Sequence, residues 1–148
     1  MLFKHCNEES VNVDIDFRSN NVIEKVLSNL YKSPFVYENR FHASLEGFLQ
    51  SLKFEDKHEQ ECVARLHGFE AKRAGRVLYN KECLYFKDHK INRMDFTYHF
   101  LLEEVYIECF KQNETKLLAL HTLSNCNVRH SIGKQTPTQT ILTEGVNF

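Results

Sequence analysis

The stretch SPFVYENRFHASLEGFLQSLKF, Ser33–Phe54, holds two periodicities end to end. In its first part, Pro34 prevents a helix from running through Ser33. The apolar runs on either side of Glu38-Asn39 then read as a strand, a turn and a strand. In its second part, Ser44 is a good helix N-cap. Leu45, Phe48, Leu49 and Leu52 follow it at the i, i+3, i+4, i+7 spacing of a buried helical stripe. Glu46, Gln50 and Lys53 share one ridge on the flank of that stripe, where a half-buried polar site can form.

Outward from this centre the pattern is less regular. VNVDIDF at 11–17 alternates as a short strand does, and 18–30 shows no regular period. A helix is predicted over 57–67, with Cys62, Val63 and Leu66 inward and Gly68 ending it. A short helical piece over 70–78 carries AKRAGR, and NKECLYFKDH reads as a loop with a short strand. The longest helix is predicted over 92–111, with Met94, Tyr98, Leu101, Leu102, Val105 and Cys109 on its apolar face. Another is predicted over 114–123, burying Leu117, Leu118 and His121. The tail NVRHSIGKQTPTQTILTEGVNF reads as loop with one short strand.

At 148 residues, with 42% hydrophobic and 26% charged residues, the chain fits one folded domain spanning 1–148. A formal net charge of -1 provides no global field for nucleic acid or an anionic membrane. The N-terminal MLFKHCNEES turns polar too early for a signal peptide, and no apolar run is long enough to span a bilayer. The expectation is a cytoplasmic protein without a membrane association or an obligate protein partner. The 5 cysteines contain no C-x-x-C pair. Cys62 and Cys109 read as free core residues. The 8 histidines form no recognised zinc pattern, so no metal is expected.

Two readings stand for each polar residue on the ridge. Glu46 is either a solubilising group or a carboxylate kept ionised by the helix start. Gln50 either hydrates the helix or holds a ligand, and Lys53 is either solvated or a fixed charge for a phosphate. Lys72, Arg73 and Arg76 make either a wet face or a basic rim. Gly133 and Lys134 form either a closing turn or a nest of backbone N–H groups for an anion.

The blocks LSNLYKSPF, RFHASLEGFLQSLKF, AKRAGR and HSIGK occur in an order that resembles the YbiA-like, or NADAR, family, over about 14–144. That resemblance implies a mainly α, α+β fold: a compact single domain with short strands and several helices. It also implies an N-glycosidase. The substrate class would be a small phosphorylated nucleoside-like compound, such as a ribosylamino-pyrimidine phosphate of early riboflavin biosynthesis. The alternatives it implies are a hydrolase of ADP-ribosylated nucleobases and a catalytically silent ADP-ribose or nucleotide binder. On this reading Glu46 is catalytic, and Ser28, Asn29, Gln50, Lys53, Arg76, Tyr85 and Lys134 bind substrate. Tyr85 or Phe86 stands where many members have tryptophan, and HSIGK replaces a W-G pair. No metal or organic cofactor is implied. The implied partners are a phosphorylated small molecule and a modified nucleobase.

Overall fold

The computed structural model describes residues 12–78, 82–123 and 127–129. Gly133, Lys134 and the tail after them lie outside the described residues. Strand β1 (Asn12–Asp14) pairs in parallel with β6 (Asn127–Arg129), with Val13 opposite Val128. Helix α1 (Val22–Val26) follows, where the sequence showed no period. Five residues are too few for periodicity to register, but its cap is strong: Asn21 Oδ1 accepts from Ile23 N and Glu24 N.

The hairpin of β2 (Phe35–Tyr37) and β3 (Arg40–His42) stands as the alternation predicts. Its turn residues Glu38 and Asn39 both have positive φ, 50° and 62°, which suits the right-handed twist of a two-residue connection. Helix α2 (Leu45–Ser51) begins at the Ser44 cap, whose Oγ accepts from Gly47 N at 2.9 Å and donates to Leu66 O at 2.9 Å. Leu45, Phe48 and Leu52 are buried as the stripe requires, and Leu49 is half-buried.

Helix α3 (Lys57–Ala64) is shorter than predicted and leaves Cys62 exposed; the core thiol is Cys109. Gly68 does not end α3. With φ of +62° it turns the chain and opens α4 (Gly68–Ala74), which is followed by a 3₁₀ turn, Arg76–Leu78. The NKECLYFKDH region supplies a full hairpin, β4 (Cys83–Phe86) with β5 (His89–Asn92). Its turn uses Lys87 and Asp88, again both at positive φ. These are residues that sequence reading does not expect there, since asparagine and glycine dominate such turns.

Helix α5 (Phe96–Gln112) is the longest element, and Met94 lies before it, exposed. Helix α6 (Glu114–His121) buries Lys116 and Ala119, whereas Leu118 and His121 are exposed. Leu117 is half-buried, and the inward stripe runs through Lys116 and Ala119 because a buried lysine heads it.

Among the described residues, helices therefore alternate with two antiparallel hairpins and one parallel strand pair. The fold is mixed α/β rather than mainly helical. Helix α2 packs on α3 and α4, and its stripe joins Val105, Tyr106 and Phe110 of α5 in one core.

Candidate functional site

The loop from Leu27 to Leu30 is fixed from below by an unexpected group. The Lys116 ammonium, fully buried, donates to Val26 O at 2.7 Å and Ser28 O at 3.0 Å. It also faces the Tyr31 and Phe110 rings at 5.9 and 5.5 Å. Burial pulls its pKa down to about 8, so it remains mostly charged at neutral pH. Ser28 Oγ accepts from Leu30 N, so this hydroxyl shapes the loop.

Asn29 is buried at the start of α2. Its carbonyl accepts from Glu46 N at 2.9 Å, and its Oδ1 accepts from the Tyr106 hydroxyl at 2.9 Å. Burial above all holds the Tyr106 phenol well above its usual range; the hydrogen bond to Asn29 opposes that, and the charge of Glu46 adds to it. Asn29 Nδ2 is buried and has no hydrogen-bond partner among the described residues.

Glu46 is half-buried and accepts from Gln50 Nε2 at 2.7 Å, the i, i+4 contact that the helical spacing allows. Gln50 Oε1 is buried and lacks a partner among the described residues. Gly75 makes room for this amide: a Cβ there would stand 1.8 Å from Gln50 Oε1. Lys53 is buried and donates to Gly75 O at 3.3 Å. Its pKa is lowered, chiefly by burial and further by Arg93, while Glu46 opposes the shift. Arg93 is buried, with its guanidinium 5.8 Å from the Tyr98 ring centre.

The fold thus gathers Asn29, Glu46, Gln50 and Lys53 and adds Arg93, Tyr98 and Tyr106, which sequence reading did not assign. Tyr98 sits on the predicted apolar face of α5, and a phenol on such a face is a usable signal; Tyr106, also buried on α5, was not among the residues predicted there. Arg93 lies in a connection and carries no periodic signal. Lys116, Ala119 and Leu123 share helical spacing, the sequence signal that accompanies the buried ammonium.

The candidates Arg76, Lys72 and Arg73 are exposed, and among the described residues no hydrogen bond joins them to the cluster side chains. Tyr85 is half-buried in β4; its backbone ties that strand to Leu52 and to Gln60. Phe41 of β3 is 48% exposed. Among the described residues, no group of three or more His, Cys, Asp or Glu side chains is placed to hold a metal. No helix among them is long and apolar enough to cross a membrane.

Residues 21–147 match the family model described as bacteriophage protein GP30.3. The chain belongs to this family. It is also 31% identical over 122 residues to an uncharacterized 17.1 kDa protein in the Gp30-rIII intergenic region of Enterobacteria phage T4, covering 80% of each chain. No solved structure matches.

Membership of the GP30.3 family overturns the YbiA-like resemblance, and with it the YbiA-like fold assignment. The N-glycosidase activity, the riboflavin-intermediate substrate, the ADP-ribose alternatives and the status of enzyme all rested on that resemblance and fall with it. The misleading blocks have a physical explanation. A serine cap, an apolar stripe with a polar flank and a basic helix end are features that many amphipathic helices share.

Proposed function

We propose that this GP30.3-family chain is a ligand-binding protein whose site is the polar cluster around Glu46, and that its ligand is a small phosphorylated molecule. The observation that carries this reading is the pair of buried amide atoms, Asn29 Nδ2 and Gln50 Oε1, that lack partners beside the Glu46 carboxylate. A buried polar atom left unmatched costs roughly 1–3 kcal/mol, which a ligand offering one acceptor and one donor offsets. Lys53 lies within electrostatic reach of Arg93 as well as of Glu46, and cations gathered at a half-buried site attract an anion. Partial desolvation of both cations strengthens their attraction for a phosphate.

Gly75→Ala tests the site. The obstacle to the new methyl is the end of the Gln50 side chain, so the amide must move and its bond to Glu46 breaks. The backbone at Gly75, φ −93° and ψ 2°, accepts alanine. Wild-type protein titrated with inorganic phosphate and glycerol phosphate should show saturable shifts of the Asn29 and Gln50 amide NMR signals. Glycerol and free nucleobases serve as the unphosphorylated arms. G75A should fold normally and bind at least about tenfold more weakly. Equal response to glycerol, or unchanged affinity in G75A, would exclude this reading.

A further inference from the structure

We propose a second ligand site, in the cleft between the two hairpin turns, for a compact organic anion bearing a carboxylate or phosphate. The cleft has a volume of about 340 Å³ and is lined from both hairpins and from the start of α3. That is the lower end of the size range of small-molecule sites.

Its rim is built at a conformational cost. Glu38, Asn39, Lys87 and Asp88 are the non-glycine residues with positive φ among the described residues, and all four form the two turns beside the cleft. Glycine would relieve strain at these positions. The side chains in place instead form ion pairs: Lys87 with Glu38 across the two turns, and Asp88 with Lys57 of α3 at 3.1 Å. Ion pairs thus link the two turns to each other and to α3, and their charges cancel in pairs.

The cation left over is Arg40. Its guanidinium donates to Gln60 Oε1 at 3.1 Å, and among the described residues no carboxylate pairs with it. Gln60 is fully engaged: its amide nitrogen donates to Phe54 O at 2.7 Å and Tyr85 O at 2.9 Å. Gln60 therefore fixes Arg40 without neutralising it, which leaves donors of the guanidinium fork for an oxyanion.

His42 also lines the cleft. It is 1% exposed, and neither ring nitrogen has a partner among the described residues. Buried imidazoles are ordinarily hydrogen-bonded, so this ring offers one donor and one acceptor to a ligand. Phe86, half-buried and stacked on Tyr37 with ring centres 5.9 Å apart, supplies an apolar wall. An occupant with an apolar body and a single anionic head matches this lining: its head on Arg40, its body against Phe86.

The test is titration of the full chain with benzoate and with phenyl phosphate, followed by NMR at the Arg40 side chain and the His42 ring. Benzyl alcohol is the uncharged control. Saturable shifts at both residues are expected with at least one anion and not with the alcohol, and the better anion identifies the head group. Arg40→Gln should weaken binding about tenfold or more, while G75A should leave it unchanged, separating this site from the Glu46 cluster. Absence of saturable shifts at Arg40 and His42 in the wild-type chain would overturn the proposal. So would full affinity in R40Q. Should R40Q fail to fold, Lys57→Gln provides the charge-removal arm, with weakened binding expected and full affinity counting against the site.

Discussion

Gly47→Ala should destabilise the protein by roughly 3 kcal/mol, the upper end of the usual overpacking cost. An alanine Cβ at this position would lie 2.5 Å from Leu66 O and 2.9 Å from Ala64 O. Both obstacles are backbone, and both are already engaged. Leu66 O accepts from the Ser44 cap and Ala64 O from Ala43 N at 2.8 Å. Moving either carbonyl to admit a methyl group weakens the start of α2 or its seat on α3. Alanine's better helix propensity returns no more than about 1 kcal/mol, so the steric cost prevails. Urea denaturation of G47A beside wild type gives the answer. A midpoint equal to or above that of wild type would mean that the helices separate freely here.

Acid should remove a comparable amount of stability through one ring. Burial, helped by the charge of Arg40, lowers the His42 pKa from its ordinary 6.5 to about 4. The ring is stacked on Phe35 at 5.0 Å and edge-on to Phe48 at 5.3 Å, where a charge is poorly solvated. Between pH 6.5 and pH 4 the unfolded chain takes up a proton that the folded chain refuses. Stability therefore falls as pH drops through that window, by roughly 3 kcal/mol in all. His42→Phe retains an aromatic ring and removes the proton. Unfolding free energies at neutral pH and near pH 4 should differ by about 3 kcal/mol less in H42F than in wild type. An identical acid dependence in the two proteins would show that His42 is not the group responsible.

What the sequence made legible was local. The Glu38-Asn39 turn, the Ser44 cap and the Leu45, Phe48, Leu52 stripe each follow from rules acting within a few residues, and each stands in the structure. The Glu46–Gln50 contact was legible for the same reason. Failures came where distant parts of the chain decide. Gly68 ends helices by habit, but here its positive φ opens α4, with its N–H donated to Leu30 O at 2.8 Å. Lysine is usually solvated, yet the Lys116 ammonium is held by the carbonyls of Val26 and Ser28, far back in the chain. The second hairpin was half-seen because Lys87 and Asp88 occupy a turn that favours glycine. Arg93 and Tyr106 reach the Glu46 cluster through packing that no spacing rule encodes. The family resemblance failed differently: its blocks are helix grammar, and grammar alone does not name a reaction.

The parallel pairing of β1 with β6 carries a kinetic consequence. Val13 and Val128 meet across more than a hundred residues of chain, so their contact closes a very large loop. Closure of that kind is entropically unfavourable until the intervening helices have docked. A ladder of three residues per strand offers little in return. The pair should zip late in folding and fray early under denaturant, a latch whose closure reports that everything between its two strands is already in place.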